Sequence, residues 1–315
     1  MTSASAPEHY ATLFDSHYLP LGLCLHRSLE EHGRPFRLWI LAMDEACAGA
    51  LEKMGLPATT VIRLSEIETA ALRAVKGSRS MGEYCWTLTP FLPSHVFAHA
   101  PQAQRVTYLD ADLFFFAPPA TLLEEFAASG KHVLITEHAF APEYAANLRF
   151  GRFCVQFVTF RNTEPARRVL AWWQARCLEW CYAREEDGKF GDQKYLDRWP
   201  QLFAAEVHVL AQTERTLAPW NVAHAGRGGP VRPVFYHFHS LKIVSPSEVV
   251  LYHAYRIGRG NGWIYERYAA ALRAAAGRLR GLGIPLIGRP AMGGRLGGLR
   301  LAWEVFRGRA ARAAL

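Results

Sequence analysis

Strand-like and helix-like segments alternate along more than half of the chain, and this alternation constrains the fold more than any other feature. Strand patterns are found over 9–14, 36–43, 59–64, 105–109, 132–136 and 153–161. Helix patterns are found over 20–32, 84–99, 119–128 and 165–182. Strands joined through helices predict an α/β fold, in which helices cover both faces of a mostly parallel sheet.

Several residues predict where helices begin or bend. Ser65 and Glu68 have the spacing of a capping box for a helix after the third strand. Pro90 and Pro93 must distort the helix in which they lie, because proline lacks the backbone N–H that a helix interior needs. Thr163 is placed to cap the last of the predicted helices.

Positive charge is concentrated at the C-terminal end. The sequence has 36 Lys and Arg against 28 Asp and Glu, a net charge of +8. Positions 251–315 contain twelve Arg, no Lys and two Glu, a balance of +10, so the remaining positions have a balance of −2. We therefore divide the chain into a near-neutral domain, 1–258, and a basic tail rich in Gly, Ala and Arg, 259–315. A near-neutral domain lacks the basic face that nucleic-acid binding requires.

The cellular location is predicted from what the sequence lacks. The first seven residues have neither the basic nor the apolar region of a signal peptide, and no apolar run is long enough to span a bilayer. The six cysteines form no CxxC pair and have no zinc-site spacing. We expect a cytoplasmic protein, whose contact with the inner face of the membrane would be peripheral.

Such a contact is suggested by the end of the tail. Apolar residues stand there among arginines: Leu301, Val305 and Phe306 among Arg300, Arg307, Arg309 and Arg312. A basic amphipathic segment of this kind can lie on an anionic membrane surface. A solvated chain end is an equally good interpretation.

Two aspartates interrupt an apolar run at positions 106–116, which reads Val-Thr-Tyr-Leu-Asp-Ala-Asp-Leu-Phe-Phe-Phe. Burying carboxylates without partners is costly, so a cation must compensate Asp110 and Asp112. Alternate residues share a face of a strand, and open α/β sheets bind ligands at the carboxyl ends of their strands. A divalent cation that joins both carboxylates to a diphosphate meets both conditions.

Two other interpretations fit the acidic pair less well. A solvated turn with two capping aspartates would not be flanked by several Phe residues. Phosphatases of the haloacid-dehalogenase type also have Asp-x-Asp after an apolar strand, but it lies in the first strand of the domain and is followed by Thr or Val. Here Leu113 and Phe114 follow, and the pair lies deep in the chain.

A second cluster lies far along the chain. His237 and His239 share one face of a predicted strand, and Lys242 lies just beyond them. Alone, a His-x-His pair is more often structural than metal-binding. Together with Asp110 and Asp112 it predicts a cation site that suits Mn²⁺ better than Mg²⁺, because imidazole is a ligand of transition metals. Lys242 would then bind the diphosphate as a point charge.

A third cluster, Gly191-Asp192-Gln193, predicts a loop that enters a short helix. Asp192 can be a functional carboxylate or a helix cap, and the sequence favours neither.

These three clusters, in this order, resemble those of nucleotide-diphospho-sugar transferases of the GT-A (Rossmann-like) fold. The similarity runs from His9 to Lys242 and is greatest to relatives of the glycogenin-like family 8 enzymes and to bacterial surface-polysaccharide transferases. Four segments carry it: Thr12 to Tyr18, Cys85-Trp-Thr-Leu-Thr-Pro90 followed by Tyr108-Leu-Asp-Ala-Asp112, Asp192-Gln193, and His237-Phe-His-Ser-Leu-Lys242.

The resemblance implies transfer of a sugar from a nucleotide diphosphate, with a UDP-sugar favoured, to a glycan or lipid-linked acceptor. Retention of configuration and a role in surface polysaccharide or glycoconjugate synthesis are implied as well. Thr12 and Tyr18 would hold the nucleotide base, and Asp110 the cation and the diphosphate. Asp192 and Gln193 would lie beside the donor sugar and the acceptor.

The sequence also departs from the family pattern. Pro90 stands where glycogenin-like enzymes have Lys, which shifts the expected phosphate contact to Arg79. Ser240 replaces a Gly, and the His-to-Lys spacing is one residue shorter, so the choice between the two histidines stays open. Phe153-Cys-Val-Gln156 replaces Asn-x-Gly, which predicts different sugar recognition.

The main alternative is a protein of the same fold that binds a sugar or a nucleotide sugar without catalysis. Its signature would be the loss of a metal ligand, and none is evidently lost. A nucleotidyltransferase would have a Gly-rich loop with Arg and Lys near the N-terminus, which this sequence lacks.

Overall fold

A seven-stranded sheet forms the centre of the fold. The structure is a computed structural model, and it describes residues 6–289 and 297–315. Its strands are β1 (Glu8–Phe14), β2 (Phe36–Ala42), β3 (Thr59–Arg63), β4 (Arg105–Leu109), β5 (Leu113–Phe115), β6 (Val133–Glu137), β7 (Phe153–Arg161), β8 (Val207–Val209), β9 (Thr216–Leu217), β10 (Phe235–His237), β11 (Lys242–Ser245), β12 (Glu248–His253) and β13 (Ala310–Ala314).

The central sheet has the order β3-β2-β1-β4-β7-β6-β8, and β7 alone runs opposite to its neighbours. Two three-stranded sheets, β5-β10-β9 and β11-β12-β13, lie beside it in the described part of the chain. The prediction of a mostly parallel α/β sheet is therefore confirmed.

Helices connect most of the strands. They are α1 (Leu19–His32), α2 (Glu45–Met54), α3 (Leu64–Ile67), α4 (Ala70–Lys76), α5 (Met81–Leu88), α6 (Phe91–His99), α7 (Ala120–Ala128), α8 (Glu164–Glu179), α9 (Trp199–Leu202), α10 (Val222–Ala225), α11 (Gly262–Gly281) and α12 (Gly297–Phe306). Turns of 3₁₀ helix cover Pro142–Phe150 and Gln193–Arg198. Among the described residues, no helix has the length and apolar character needed to cross a membrane.

Apolar clusters cover the two faces of the central sheet. One includes Leu25 of α1 and Tyr268 of α11, and the other includes Trp173 of α8 and Trp199 of α9, all fully buried. This burial explains why the strands are apolar along almost their whole length.

Two helix starts differ from the predictions. The predicted capping box of Ser65 and Glu68 is wrong, because Ser65 lies inside α3 and the Thr69 hydroxyl caps α4, accepting from the Leu72 N–H at 3.3 Å. Thr163 does precede α8, but its hydroxyl bonds His132 Nδ1 at 3.0 Å and makes no capping bond to the described helix.

The helix predicted over 84–99 is two helices, α5 and α6, separated at Thr89 and Pro90. Its start was also missed: Ser80 and Glu83 form the capping box, through Ser80 N–H to Glu83 Oε2 at 2.7 Å and Glu83 N–H to Ser80 Oγ at 3.4 Å. Proline at position 90 breaks the helix, as its missing N–H requires.

The boundary predicted at Gly258 is not a break in the packing. Tyr265, Tyr268 and Leu272 of α11 are buried in the same apolar cluster as α1. β13 completes the small sheet with β12. The body of the fold therefore extends well into the segment that was expected to be an appendage.

Candidate active site

Asp110, Asp112 and His237 converge where β4 leaves the central sheet. Asp110 follows β4 directly, and Asp112 precedes β5. β5 pairs with β10 in a register that sets His237 opposite Leu113, and the Phe238 N–H donates to the Asp112 carbonyl at 2.9 Å. His237 Nε2 lies 3.1 Å from Asp112 Oδ1 and 3.8 Å from Asp110 Oδ2. His237 Nε2 is therefore within reach of a carboxylate oxygen of each aspartate.

Gln156 on β7 sets the orientation of the His237 ring. His237 Nδ1 donates to Gln156 Oε1 at 2.7 Å, and both side chains are buried. The Gln156 amide nitrogen lies 3.5 Å from the Thr136 hydroxyl, which turns the amide oxygen toward the histidine. With Nδ1 engaged, Nε2 is the ring nitrogen directed at the two carboxylates, as in metal-binding histidines held by an outer partner.

The charges of the cluster depend on one another. Burial raises the pKa of Asp110 to about 6, although His237 acts in the opposite direction. Burial would also lower the pKa of His237, but the Asp112 carboxylate outweighs it and raises that pKa well above its ordinary value. Burial likewise favours neutral Asp112, yet His237 prevails and lowers the pKa of Asp112. A protonated His237 therefore compensates the acids, and a bound cation would replace that proton.

Cys154 supplies a further ligand atom that the sequence analysis did not assign. The ligand atoms of Asp110, Cys154 and His237 all lie within 4.8 Å of one another. Cys154 is only 4% exposed. Burial raises the pKa of its thiol, although His237 opposes the shift. A thiol prefers soft cations, so it affects which metals this site accepts.

A cavity of about 600 Å³ opens beside this cluster. Seven of the predicted site residues line it: Tyr18, Asp110, Asp112, Asp192, Gln193, His237 and His239. His239 lies in the turn after β10, so the prediction that both histidines share one strand face is wrong. It is exposed on the cavity wall, with its ring centroid 5.4 Å from that of Trp220. His237 is the histidine that forms ion pairs with both acids.

Three predicted residues are not among those that line the cavity. Arg79 is buried and binds the Thr87 hydroxyl and, at 2.7 Å, the Leu178 carbonyl, which ties α5 to α8 and corrects the expectation of a phosphate contact. Thr12 is fully buried in β1, and its hydroxyl has no hydrogen-bond partner within the described residues. Lys242 is exposed at the start of β11.

Asp192 faces the cavity. It precedes the Gln193–Arg198 turn and lines the cavity, so it occupies the cap position and also faces the space for a ligand. Burial, and then the charge of Asp110, raise the pKa of Asp192 well above its usual range. The Gln193 amide nitrogen donates to the Phe150 carbonyl at 3.0 Å, which leaves the amide oxygen as its group for a ligand.

Ser240 keeps the backbone conformation of the glycine that it replaces. Its φ is 66°, in the left-handed region that glycine enters most easily. The Ser240 hydroxyl accepts from the His253 N–H at 3.2 Å and donates to the His253 carbonyl at 3.3 Å. These bonds hold the turn after β10, so the substitution does not displace His237.

Other residues at or beside the cavity were missed as functional candidates. Cys154 and Gln156 lie in the segment that replaces Asn-x-Gly, so that departure was a signal. Asp15 and Arg289 also line the cavity and contact each other across 274 positions of sequence. No pattern of neighbouring residues in the sequence predicts that pair.

Solved structures show which fold this is. The galactosyltransferase LgtC, in complex with donor and acceptor sugar analogues, matches with a TM-score of 0.53 and 16% identity over 87% of this chain and 99% of LgtC. The bifunctional glycosyltransferase WbbM in its apo form matches with a TM-score of 0.50 and 12% identity, over 86% of this chain and 50% of WbbM. The chain has the GT-A glycosyltransferase fold.

Sequence comparison gives its family. No protein-family model matches the chain. The uncharacterized protein YfnD of Bacillus subtilis (strain 168) is 31% identical over 261 residues, 79% of this chain and 83% of YfnD. YfnF of the same organism is 32% identical over 271 residues, 80% of this chain and 86% of YfnF. The chain belongs to the family of YfnD and YfnF.

Proposed function

We propose that this protein is a metal-dependent glycosyltransferase, which moves a sugar from a nucleotide diphosphate to a glycan or lipid-linked acceptor with retention of configuration. The observation that carries the proposal is that His237 Nε2 lies 3.1 Å from Asp112 Oδ1 and 3.8 Å from Asp110 Oδ2 where β4 leaves the GT-A sheet. Surface polysaccharide or glycoconjugate synthesis is the setting that the resemblance implies. A UDP-sugar is the favoured donor.

The residues present suit a divalent cation. Two carboxylates and one imidazole nitrogen, oriented by Gln156, are oxygen and nitrogen ligands of the kind that Mn²⁺ accepts. His237 is an ion-pair partner of both acids, and a bound cation would take over that compensation. When bound, the cation would neutralise the charge that grows on the departing diphosphate.

The same cavity has other groups that can position a sugar. Asp192 is only 4% exposed and can hydrogen-bond a sugar hydroxyl, and the Gln193 amide oxygen can accept from another. Aromatic rings, which offer apolar faces to a sugar or a base, also line the cavity: Trp86, Phe140, Phe150, Phe190, Trp220 and Tyr255. These residues would hold the donor sugar and the acceptor hydroxyl close to each other.

A panel of nucleotide sugars tests the proposal. The protein is incubated with each donor, with and without Mn²⁺, and release of the nucleoside diphosphate is measured. At least one donor should turn over, and only with the cation. Asp112→Asn should reduce this turnover at least about a hundredfold, because it removes a charge from the cation site. Asp187→Asn, at a side chain that is 82% exposed, is the matched control.

The outcomes separate catalysis from mere binding. Binding of a nucleoside diphosphate with Mn²⁺ but no turnover of any donor would favour the non-catalytic binder. Near-normal turnover by Asp112→Asn would remove the cation site from the mechanism. If a product forms, the anomeric proton coupling in its NMR spectrum decides between retention and inversion.

Peripheral membrane contact is the second part of the proposal. On α12, Trp303 and Phe306 are 56% and 82% exposed, and their rings stack at 5.8 Å, with Arg300 and Arg307 exposed nearby. Leu301, by contrast, is buried. An exposed aromatic pair with a basic rim suits an anionic lipid surface, where a lipid-linked acceptor would be found.

Sedimentation with vesicles tests this contact. Trp303→Glu/Phe306→Glu should lower binding to vesicles that contain anionic lipid, whereas Leu202→Glu, at a position that is 47% exposed elsewhere on the surface, should not. Equal binding by the two variants would exclude α12 as the contact.

A further inference from the structure

The chain returns to the cavity after α11. Gly288 lies so close to β11 that a Cβ atom there would be 2.5 Å from the Val244 carbonyl oxygen, so only glycine fits. The Arg289 N–H then donates to the Ile243 carbonyl at 2.8 Å. This tight contact with β11 fixes the backbone from which the Arg289 side chain extends.

The Arg289 side chain extends into the cavity. Its guanidinium binds the Asp15 carboxylate, and it lines the cavity together with Tyr18, Asp110 and Asp112. The Arg289 side chain is 43% exposed, whereas that of Asp15 is 7% exposed. The arginine therefore faces the space in which a ligand would lie, although it is anchored at one point.

Asp15 is itself held firmly. Asp15 Oδ1 accepts from the His17 and Tyr18 N–H groups, both at 3.1 Å, in the turn between β1 and α1. Its other oxygen, Oδ2, binds Arg289 and lies 3.4 Å from His17 Nδ1. Asp15 therefore joins the turn after β1 to the segment after α11.

The carboxylates around the cavity need a positive charge near them, and Arg289 supplies one. Four carboxylates line it, those of Asp15, Asp110, Asp112 and Asp192, and Arg289 is the only Lys or Arg among the described lining residues. A guanidinium has five N–H donors in a planar fork that matches phosphate oxygens, and Asp15 engages one of its nitrogens.

We propose that Arg289 is a donor-binding residue, which contacts the diphosphate of the nucleotide in the cavity that it shares with Asp110, Asp112 and His237. This inference rests on the proposed function. It assigns to Arg289 the phosphate contact that the sequence analysis expected of Arg79. Asp15 is a positioning residue, because it holds the guanidinium at the cavity.

Calorimetric titration with UDP, or GDP if UDP does not bind, in the presence of Mn²⁺ tests the inference. Arg289→Gln should weaken nucleotide binding about ten- to a hundredfold, the range for loss of a charge-assisted hydrogen bond. Arg267→Gln is the matched control, because Arg267 also joins the C-terminal part to an N-terminal acid, Glu31, at 2.8 Å but lies outside the cavity. It should bind within about twofold of the original protein.

A double variant excludes a merely structural role. If Arg289 served only to neutralise Asp15, Asp15→Asn would remove the need for it, and Arg289→Gln/Asp15→Asn would bind as well as Asp15→Asn. Our proposal expects the double variant to bind as weakly as Arg289→Gln. Melting temperatures of all variants without ligand show whether folding contributes.

The outcomes also separate this inference from the proposed function. If the original protein binds nucleotide and Arg289→Gln binds equally well, the role of Arg289 is refuted while the proposed function stands. If the original protein binds no nucleoside diphosphate with Mn²⁺, both are refuted.

Discussion

Gln156→Leu should weaken Mn²⁺ binding although Gln156 would not touch the cation. In the structure, Gln156 Oε1 accepts the proton of His237 Nδ1 at 2.7 Å and so directs Nε2 at the acids. Leucine has a similar volume and cannot accept a hydrogen bond. The His237 ring would lose its preferred tautomer and orientation.

The size of the effect follows from what the bond does. Loss of an outer partner of a metal-binding histidine typically costs about ten- to a hundredfold in metal affinity, or about 1.4–2.8 kcal/mol. Leaving His237 Nδ1 buried without a partner costs about 1–3 kcal/mol of stability as well. The variant should therefore melt a few degrees lower without metal and still fold.

Electron paramagnetic resonance of free Mn²⁺ during titration measures the affinity directly. Gln156→Glu should keep or increase the affinity, because a carboxylate accepts the same hydrogen bond and makes the imidazole a better ligand. Gln201→Leu, at an exposed position, serves as the surface control. A folded Gln156→Leu protein that binds Mn²⁺ within about twofold of the original would refute the argument.

Three further predictions concern the same cavity. Mn²⁺ affinity should fall as the pH is lowered through about 6, because the raised pKa of Asp110 leaves it protonated below that value; affinity that does not change between pH 5 and pH 7 in calorimetry would contradict the assignment. Cys154→Ser should abolish the ultraviolet absorption band that a thiolate–Cd²⁺ bond gives when Cd²⁺ is added, since the thiol selects soft cations. Its Mn²⁺ affinity should stay within about threefold of that of the original protein. An unchanged band would show that Cd²⁺ binds at another site. Gly191→Ala should lower the free energy of unfolding by about 1–2 kcal/mol, because φ is 51° and the new Cβ would lie 3.2 Å from the Trp86 ring. Donor turnover should fall as well. A melting temperature equal to that of the original protein would contradict the expected loss of stability.

Much of the fold could be predicted from local patterns. The strands over 105–109 and 153–161 were predicted with the bounds that β4 and β7 have. Doubly covered strands bury both faces and are therefore apolar along their whole length. Asp110 and Asp112 were conspicuous because they are charged residues next to such an apolar run, and carboxylates there need a partner. The pair could thus be predicted before its partner was known.

Helix boundaries were less accessible, because several residues compete for each cap. Ser65 had the correct spacing but lies within α3, whereas Ser80 forms the capping box of α5. Thr163 precedes α8, yet its hydroxyl bonds His132. Tertiary partners outside the helix decided each case, and a single sequence does not show them.

By itself, the sequence determined many of the strands and helices, the acidic pair at the end of β4 and His237 on β10, because burial and periodicity show in the pattern of neighbouring residues. Only the tertiary structure decided that β7 runs antiparallel, that Gln156 orients His237, and that Arg289 rather than Arg79 reaches the cavity. These facts depend on strand order and on contacts between distant segments. Such contacts are set by how the whole chain packs, which no local spacing records.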